Sequence, residues 1–189
     1  MKRLTSGIAL LAMAAAAGQS HADSLDFSLH NDALRAIYMM NLGERGLSAD
    51  FGLLYSEDEK RLDDIMVHAG LHVSGDNWSE SGTFNVRVGF RLIHTTPDDW
   101  EFAAFAPGAQ VRYSPIHRVG FGGHLYLAPR IISFRDAERY REYGVNIDYQ
   151  VLPQAFVYAG YRYIDINIEN SSFRAKVEDN FHVGFRMLF

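Results

Sequence analysis

Apolar and polar positions alternate along most of this chain with a period of two. At the carboxyl end Phe181, Val183, Phe185, Met187 and Phe189 take every second position, and Asn180, His182, Gly184 and Arg186 fall between them. A pleated strand sends successive side chains to opposite faces. One face here is therefore wholly apolar and the other is polar or bare. The same rule holds for Leu47, Ala49, Phe51, Leu53 and Tyr55, set against Ser48, Asp50, Gly52 and Ser56. It holds for Ile65, Val67, Ala69, Leu71 and Val73 against Met66, His68, Gly70, His72 and Ser74, and for Phe84, Val86, Val88, Phe90 and Leu92 against Asn85, Arg87, Gly89 and Arg91. These runs fit the strand template and not the helical one.

The second half alternates less cleanly. Ala103, Phe105, Ala109, Val111 and Tyr113 share a face interrupted by Pro107, where a kink or bulge is expected. Val119, Phe121, Leu125 and Leu127 oppose Gly120, Gly122, His124 and Tyr126. Tyr143, Val145, Ile147, Tyr149 and Val151 oppose Glu142, Gly144, Asn146, Asp148 and Gln150, and Ala155, Val157, Ala159, Tyr161 and Tyr163 oppose Phe156, Tyr158, Gly160 and Arg162. Near the start, Leu25, Phe27 and Leu29 form a run that a tight turn at Asn31-Asp32 would connect to Leu34, Ala36, Tyr38 and Met40. The pattern predicts ten strands, with eight as the alternative. An even number brings both termini of a single-chain barrel to the periplasm. Inside turns are then expected near Gly43-Glu44-Arg45, Ser74 to Gly82, Ser114 to His117 and Leu152-Pro153-Gln154. Outside loops would be Ser56 to Asp64, His94 to Trp100, Pro129 to Arg139 and Asp165 to Val177.

Hydrophobic residues are 48% of the chain and aromatics 13%, yet after the amino-terminal segment no apolar run is long enough for a membrane helix. Apolar content dispersed through alternating strands is the signature of an antiparallel transmembrane β-barrel. The glycines agree: Gly52, Gly70, Gly89, Gly108, Gly120, Gly122, Gly144, Gly160 and Gly184 all fall on the polar face, where a narrow interior needs room, and Gly123 is the mid-strand exception. Aromatics near strand ends, such as Tyr55, Trp100, Tyr113, Tyr149 and Phe189, suit interfacial girdles.

Residues 1–22 carry Lys2 and Arg3, an apolar stretch from Ile8 to Ala17, and Ser20-His21-Ala22, the pattern of a signal peptide cleaved after Ala22. Residues 23–189 would then form the barrel. Loss of Lys2 and Arg3 takes the formal charge from −5 to −7, and with no basic stripe nucleic acid is not an expected partner. The absence of Cys excludes a lipid-modified cysteine and any disulfide. Expected partners are outer-membrane lipids, lipopolysaccharide and the barrel-assembly machinery, which would read Phe181, Val183, Phe185, Met187 and Phe189 as the closing strand. The charged run from Ser56 to Asp64 reads as a solvated outer loop, or as a lipopolysaccharide contact through Lys60 and Arg61.

On the polar face stand Arg35, Arg87, Arg91, Arg112, Arg162 and Arg186, with His68, His72, His124 and His182, and with Asp26, Asp50, Glu142 and Asp148 as counter-charges. On the lipid side each Arg near the midplane would cost about 2–4 kcal/mol, so these residues belong to the lumen. Two roles are open to them. They can fill the barrel as a ladder of ion pairs, or line a narrow passage or cavity that favours anions. An outer-membrane lipase, acyltransferase or protease is an alternative, but no spacing marks a nucleophile with its base, and there is no Gly-x-Ser-x-Gly. His68 and His72 share a face but sit about 13 Å apart at strand rise, too far to chelate one metal together. No metal or cofactor is expected. A soluble periplasmic binding protein is a further alternative, but it would leave the arginines and glycines on an outer surface that has no need of bare positions.

The chain resembles the YfaZ family of outer-membrane proteins. The resemblance rests on Ser24-Leu25-Asp26-Phe27-Ser28-Leu29-His30-Asn31-Asp32, on Gly46-Leu47-Ser48-Ala49-Asp50-Phe51-Gly52, and on Gly120-Phe121-Gly122-Gly123-His124-Leu125-Tyr126-Leu127-Ala128-Pro129. Gly160-Tyr161-Arg162-Tyr163-Ile164 and Phe181-His182-Val183-Gly184-Phe185-Arg186 extend it to the end. It implies an outer-membrane barrel and brings no substrate, reaction or catalytic residue.

Overall fold

In a computed structural model the chain is described over residues 23–30, 33–43, 46–58, 61–79, 82–95, 102–130, 133–135, 137–168 and 174–189. Eleven strands build one antiparallel sheet: β1 (Ser24–His30), β2 (Ala33–Asn41), β3 (Leu47–Asp58), β4 (Arg61–Ser79), β5 (Gly82–Thr95), β6 (Phe102–Ile116), β7 (Val119–Ala128), β8 (Ser133–Arg135), β9 (Ala137–Leu152), β10 (Ala155–Ile168) and β11 (Arg174–Leu188). β1 pairs with β11, and β5 pairs with β6, so the sheet closes on itself. β8 is a three-residue piece that continues beside β6 where β7 has ended. The wall therefore has ten strands, and closure removes the edges that an open sheet would expose.

Each wall strand turns its apolar set outward. Phe51 and Leu53, Val67 and Leu71, Val88 and Leu92, Val145 and Ile147, and Val183 and Phe185 are all exposed. A water-soluble protein would bury such a belt, and its continuity around a closed barrel identifies hydrocarbon as the surrounding solvent. β10, with bulky residues on both faces, still keeps Val157 and Ala159 outward and buries Tyr158 and Arg162.

Three local expectations need correction. Pro107 makes no bulge, because β5 and β6 pair without a shift from Thr83↔Ser114 to Thr95↔Phe102, with Pro107 on the outer face opposite Phe90. The ladder with β7 instead stops at Gly108, beside the residue that has no N–H to give. Ser74 to Gly82 is not a long turn either. β4 and β5 stay paired down to Ser79↔Gly82, forming a hairpin that outruns β3, whose last partner is Leu47↔Val73. The outer loops are shorter than the alternation implied: β3 runs to Asp58, β4 starts at Arg61, β9 starts at Ala137, and β10 and β11 extend to Ile168 and from Arg174. Backbone pairing persisted there after the apolar alternation had faded. The signal segment, Asn31-Asp32, Glu44-Arg45, Lys60 and Trp100 lie outside the described residues.

β1 and β2 pair up to His30↔Ala33, which leaves two residues for their connection. With both termini on the periplasmic side, that connection faces the cell exterior. A cysteine introduced as Asp32→Cys, unique in this chain, should react with a membrane-impermeant maleimide on intact cells. Reaction only after lysis would invert the barrel.

Candidate functional site

The interior has three levels, each set by what the inward positions carry. Toward the end away from both termini they are apolar. Ala33, Leu54, Met66, Ile93, Phe102, Ala104, Ala106, Tyr126, Ala128, Tyr140, Ile164 and Ile166 form one buried cluster, with Val177 packed against it. Every wall strand except β1 contributes. Leu54, Met66, Tyr126, Tyr140 and Ile164 are at most 1% exposed, so the described residues pack this level densely. This plug was missing from the reading of the polar face. Its signal is a set of apolar doublets, Leu53-Leu54, Ile65-Met66 and Leu92-Ile93, where alternation breaks and the second member points inward.

At mid-barrel lies a charged network. Arg91 donates from Nε and Nη2 to Asp50 Oδ2 at 3.0 and 2.7 Å, and reaches Glu142 at 3.4 Å. Glu142 also accepts from Arg35 Nη2 at 2.9 Å and from the Tyr140 hydroxyl at 2.7 Å, with His124 Nε2 3.4 Å away. His68 and His72 lie 3.6 and 3.8 Å from Asp50, and His72 Nε2 is 2.8 Å from the Tyr126 hydroxyl. The Arg91 guanidinium lies over the Tyr126 ring, 4.2 Å from its centre. Burying two carboxylates among these cations leaves the charges locally compensated, which is the condition for a low-dielectric interior to hold them. To one side Arg162 forks onto Glu178 at 2.6 and 2.7 Å. Glu178 continues the even-numbered inward positions of Asn180 to Arg186, one step before the alternation of the closing strand becomes evident.

The half of the barrel nearer the two termini is hollow. A cavity of about 420 Å³ opens among Ser24, Asn41, Thr83 and Leu188 at the terminal end and reaches up to Arg91, His124 and Glu142. All six lumen arginines border it, whereas its only acidic borders are Asp26, Asp76 and Glu142. Asp148, which holds Arg112 at 2.6 and 2.8 Å, does not border it, nor do Asp50 and Glu178. Arginine thus outnumbers acid six to three on the cavity lining, which Asp26 and Glu142 share with the arginines they pair. His182 borders the cavity, whereas His68 and His72 are sealed in the wall beside Asp50.

The glycines make this arrangement sterically possible. A side chain at Gly52 would strike the His68 ring, and one at Gly184 would strike Tyr158, whose hydroxyl hydrogen-bonds Asp26. Asp26 in turn holds Arg186 at 2.8 Å. The rings of His68, His72, His124, Tyr126, Tyr158 and His182 each lie against a glycine, where there is no Cβ to meet them. Among the described residues no group of three or more His, Cys, Asp and Glu side chains is placed to hold a metal.

A family model described as YfaZ precursor matches residues 1–189. No curated protein matches the chain. Among solved structures, the chain is similar to the KdgM porin, at 10% identity and TM-score 0.49, covering 89% of this chain and 99% of that one. It is also similar to the NanC porin, at 13% identity and TM-score 0.48, with 89% and 99% covered.

Proposed function

The chain belongs to the YfaZ family and is an outer-membrane β-barrel, and on that footing we propose that it is a narrow anion-favouring passage held in a shut state. The observation that carries this reading is the cavity lined by guanidinium groups, open at the terminal end and capped by the apolar plug. Six arginines against three acids on the lining give the hollow a positive potential, and the plug blocks it by excluding water. On this reading the signal segment directs export through the general secretory route, the strand ending at Phe189 engages the barrel-assembly machinery, and the outer surface contacts lipid and lipopolysaccharide.

A non-catalytic role fits the interior better than an enzyme does. The arrangement closest to a triad is Asp50, His72 and Tyr126, but its hydroxyl belongs to a fully buried tyrosine inside the plug, where no substrate can reach it.

The passage is tested by thinning the plug. Met66→Ala combined with Ile164→Ala should convert a nearly silent protein into one with steady anion-selective openings in planar bilayers. Cation-selective openings, or silence of the correctly folded variant at every voltage, would remove the passage and leave a purely structural barrel.

A further inference from the structure

We propose that Arg87 is the centre of a binding site for a small oxyanion, a carboxylate or phosphate group, on the wall of the periplasmic cavity. Five of the six lumen arginines are neutralised in place: Arg35 by Glu142, Arg91 by Asp50, Arg112 by Asp148, Arg162 by Glu178 and Arg186 by Asp26. Arg87 is the exception. Its Nη1 donates to Gln110 Oε1 at 3.4 Å and to the Met39 sulfur, and among the described residues no carboxylate pairs with it. Its Nε and Nη2 have no partner there, although the side chain borders the cavity.

The surroundings hold this cation without neutralising it. Gln110 is fixed from its other end, because Nε2 donates to the Tyr126 hydroxyl at 2.7 Å, so its oxygen is left to face Arg87. Asp76 borders the same cavity but accepts from Asn85 Nδ2. Arg186 and Arg91 act on it with the same sign, and Asp50, already held by Arg91, acts on it only through space. A partly buried guanidinium with a free Nε–Nη2 edge is a poor match for water alone. It is a good match for two oxygens of one planar or tetrahedral anion, which that fork can bind through parallel hydrogen bonds. The cavity volume, within the range of small-ligand pockets, admits an anion bearing a modest organic body. The site is reached from the periplasm and needs nothing to cross the barrel.

The test uses the full mature chain, folded in detergent micelles and labelled with ¹⁵N at arginine. Titration with inorganic phosphate and, separately, with acetate should move the Arg87 Nε–H resonance saturably, while sodium chloride at equal ionic strength should not. The better of the two probes separates a phosphoryl from a carboxyl ligand. Arg87→Gln should weaken binding by about tenfold or more, and Arg87→Lys should keep the charge but lose much of the affinity, with heat-modifiable mobility confirming the fold of both. Shifts that follow ionic strength alone, or that survive in Arg87→Gln at unchanged affinity, would overturn the site. A protein that binds phosphate yet never conducts keeps this site and loses the passage. One that conducts without saturable binding does the reverse.

Discussion

Glu142→Ala should cost about 3–5 kcal/mol of stability, the scale at which removal of one partner strands a buried charge. Glu142 is 1% exposed and serves Arg35, Arg91, Tyr140 and His124 together. Its loss leaves the Arg35 and Arg91 guanidinium groups without their shared counter-charge, with Asp50 remaining to hold Arg91 alone. Urea unfolding in micelles, followed by tryptophan fluorescence, should show a lower midpoint. Arg35→Met added to Glu142→Ala should recover part of the loss, because it removes one stranded charge and keeps the volume. If Glu142→Ala unfolds at the midpoint of the natural chain, the network contributes nothing to stability and the account of the mid-barrel fails.

Val145→Arg should cost about 2–4 kcal/mol in phospholipid bilayers. Val145 lies midway along β9, exposed on the outer face between Tyr143 and Ile147. The natural chain accommodates Arg162 and Arg91 by turning them inward onto carboxylates, whereas an arginine at this position has only hydrocarbon around it. Unfolding from vesicles, compared with the natural chain, measures the penalty. A cost near zero in vesicles would mean that this face does not meet lipid, and would favour the soluble alternative.

Much of this fold was legible because lipid imposes a strict rule on every second residue. Ile147 or Phe185 can be assigned outward from its neighbours alone, and the glycines mark the inner face independently. The interior obeys no comparable rule. Asp50 and Arg91 can be placed on the same side from sequence, but their 2.7 Å contact joins β3 to β5 across β4, and no spacing along the chain reports it. Tyr140 sits between the expected loop, which ends at Arg139, and the alternation of β9, which only becomes clear at Glu142. The plug was hidden for a different reason. An apolar residue at an inward position, such as Met66, looks like an imperfection in the pattern until its counterparts around the barrel are seen to converge.

The one-sided closure of the barrel bears on how many copies a cell can carry. A protein hollow from the periplasm and dry toward the outside can exchange solutes with the compartment it came from while adding no leak to the envelope. In the proposed shut state, toxic compounds outside would meet Leu54, Tyr126 and Tyr140 packed together and find no aqueous entry. Abundance is then limited by space in the membrane and not by permeability, which an always-open pore of the same width would not allow.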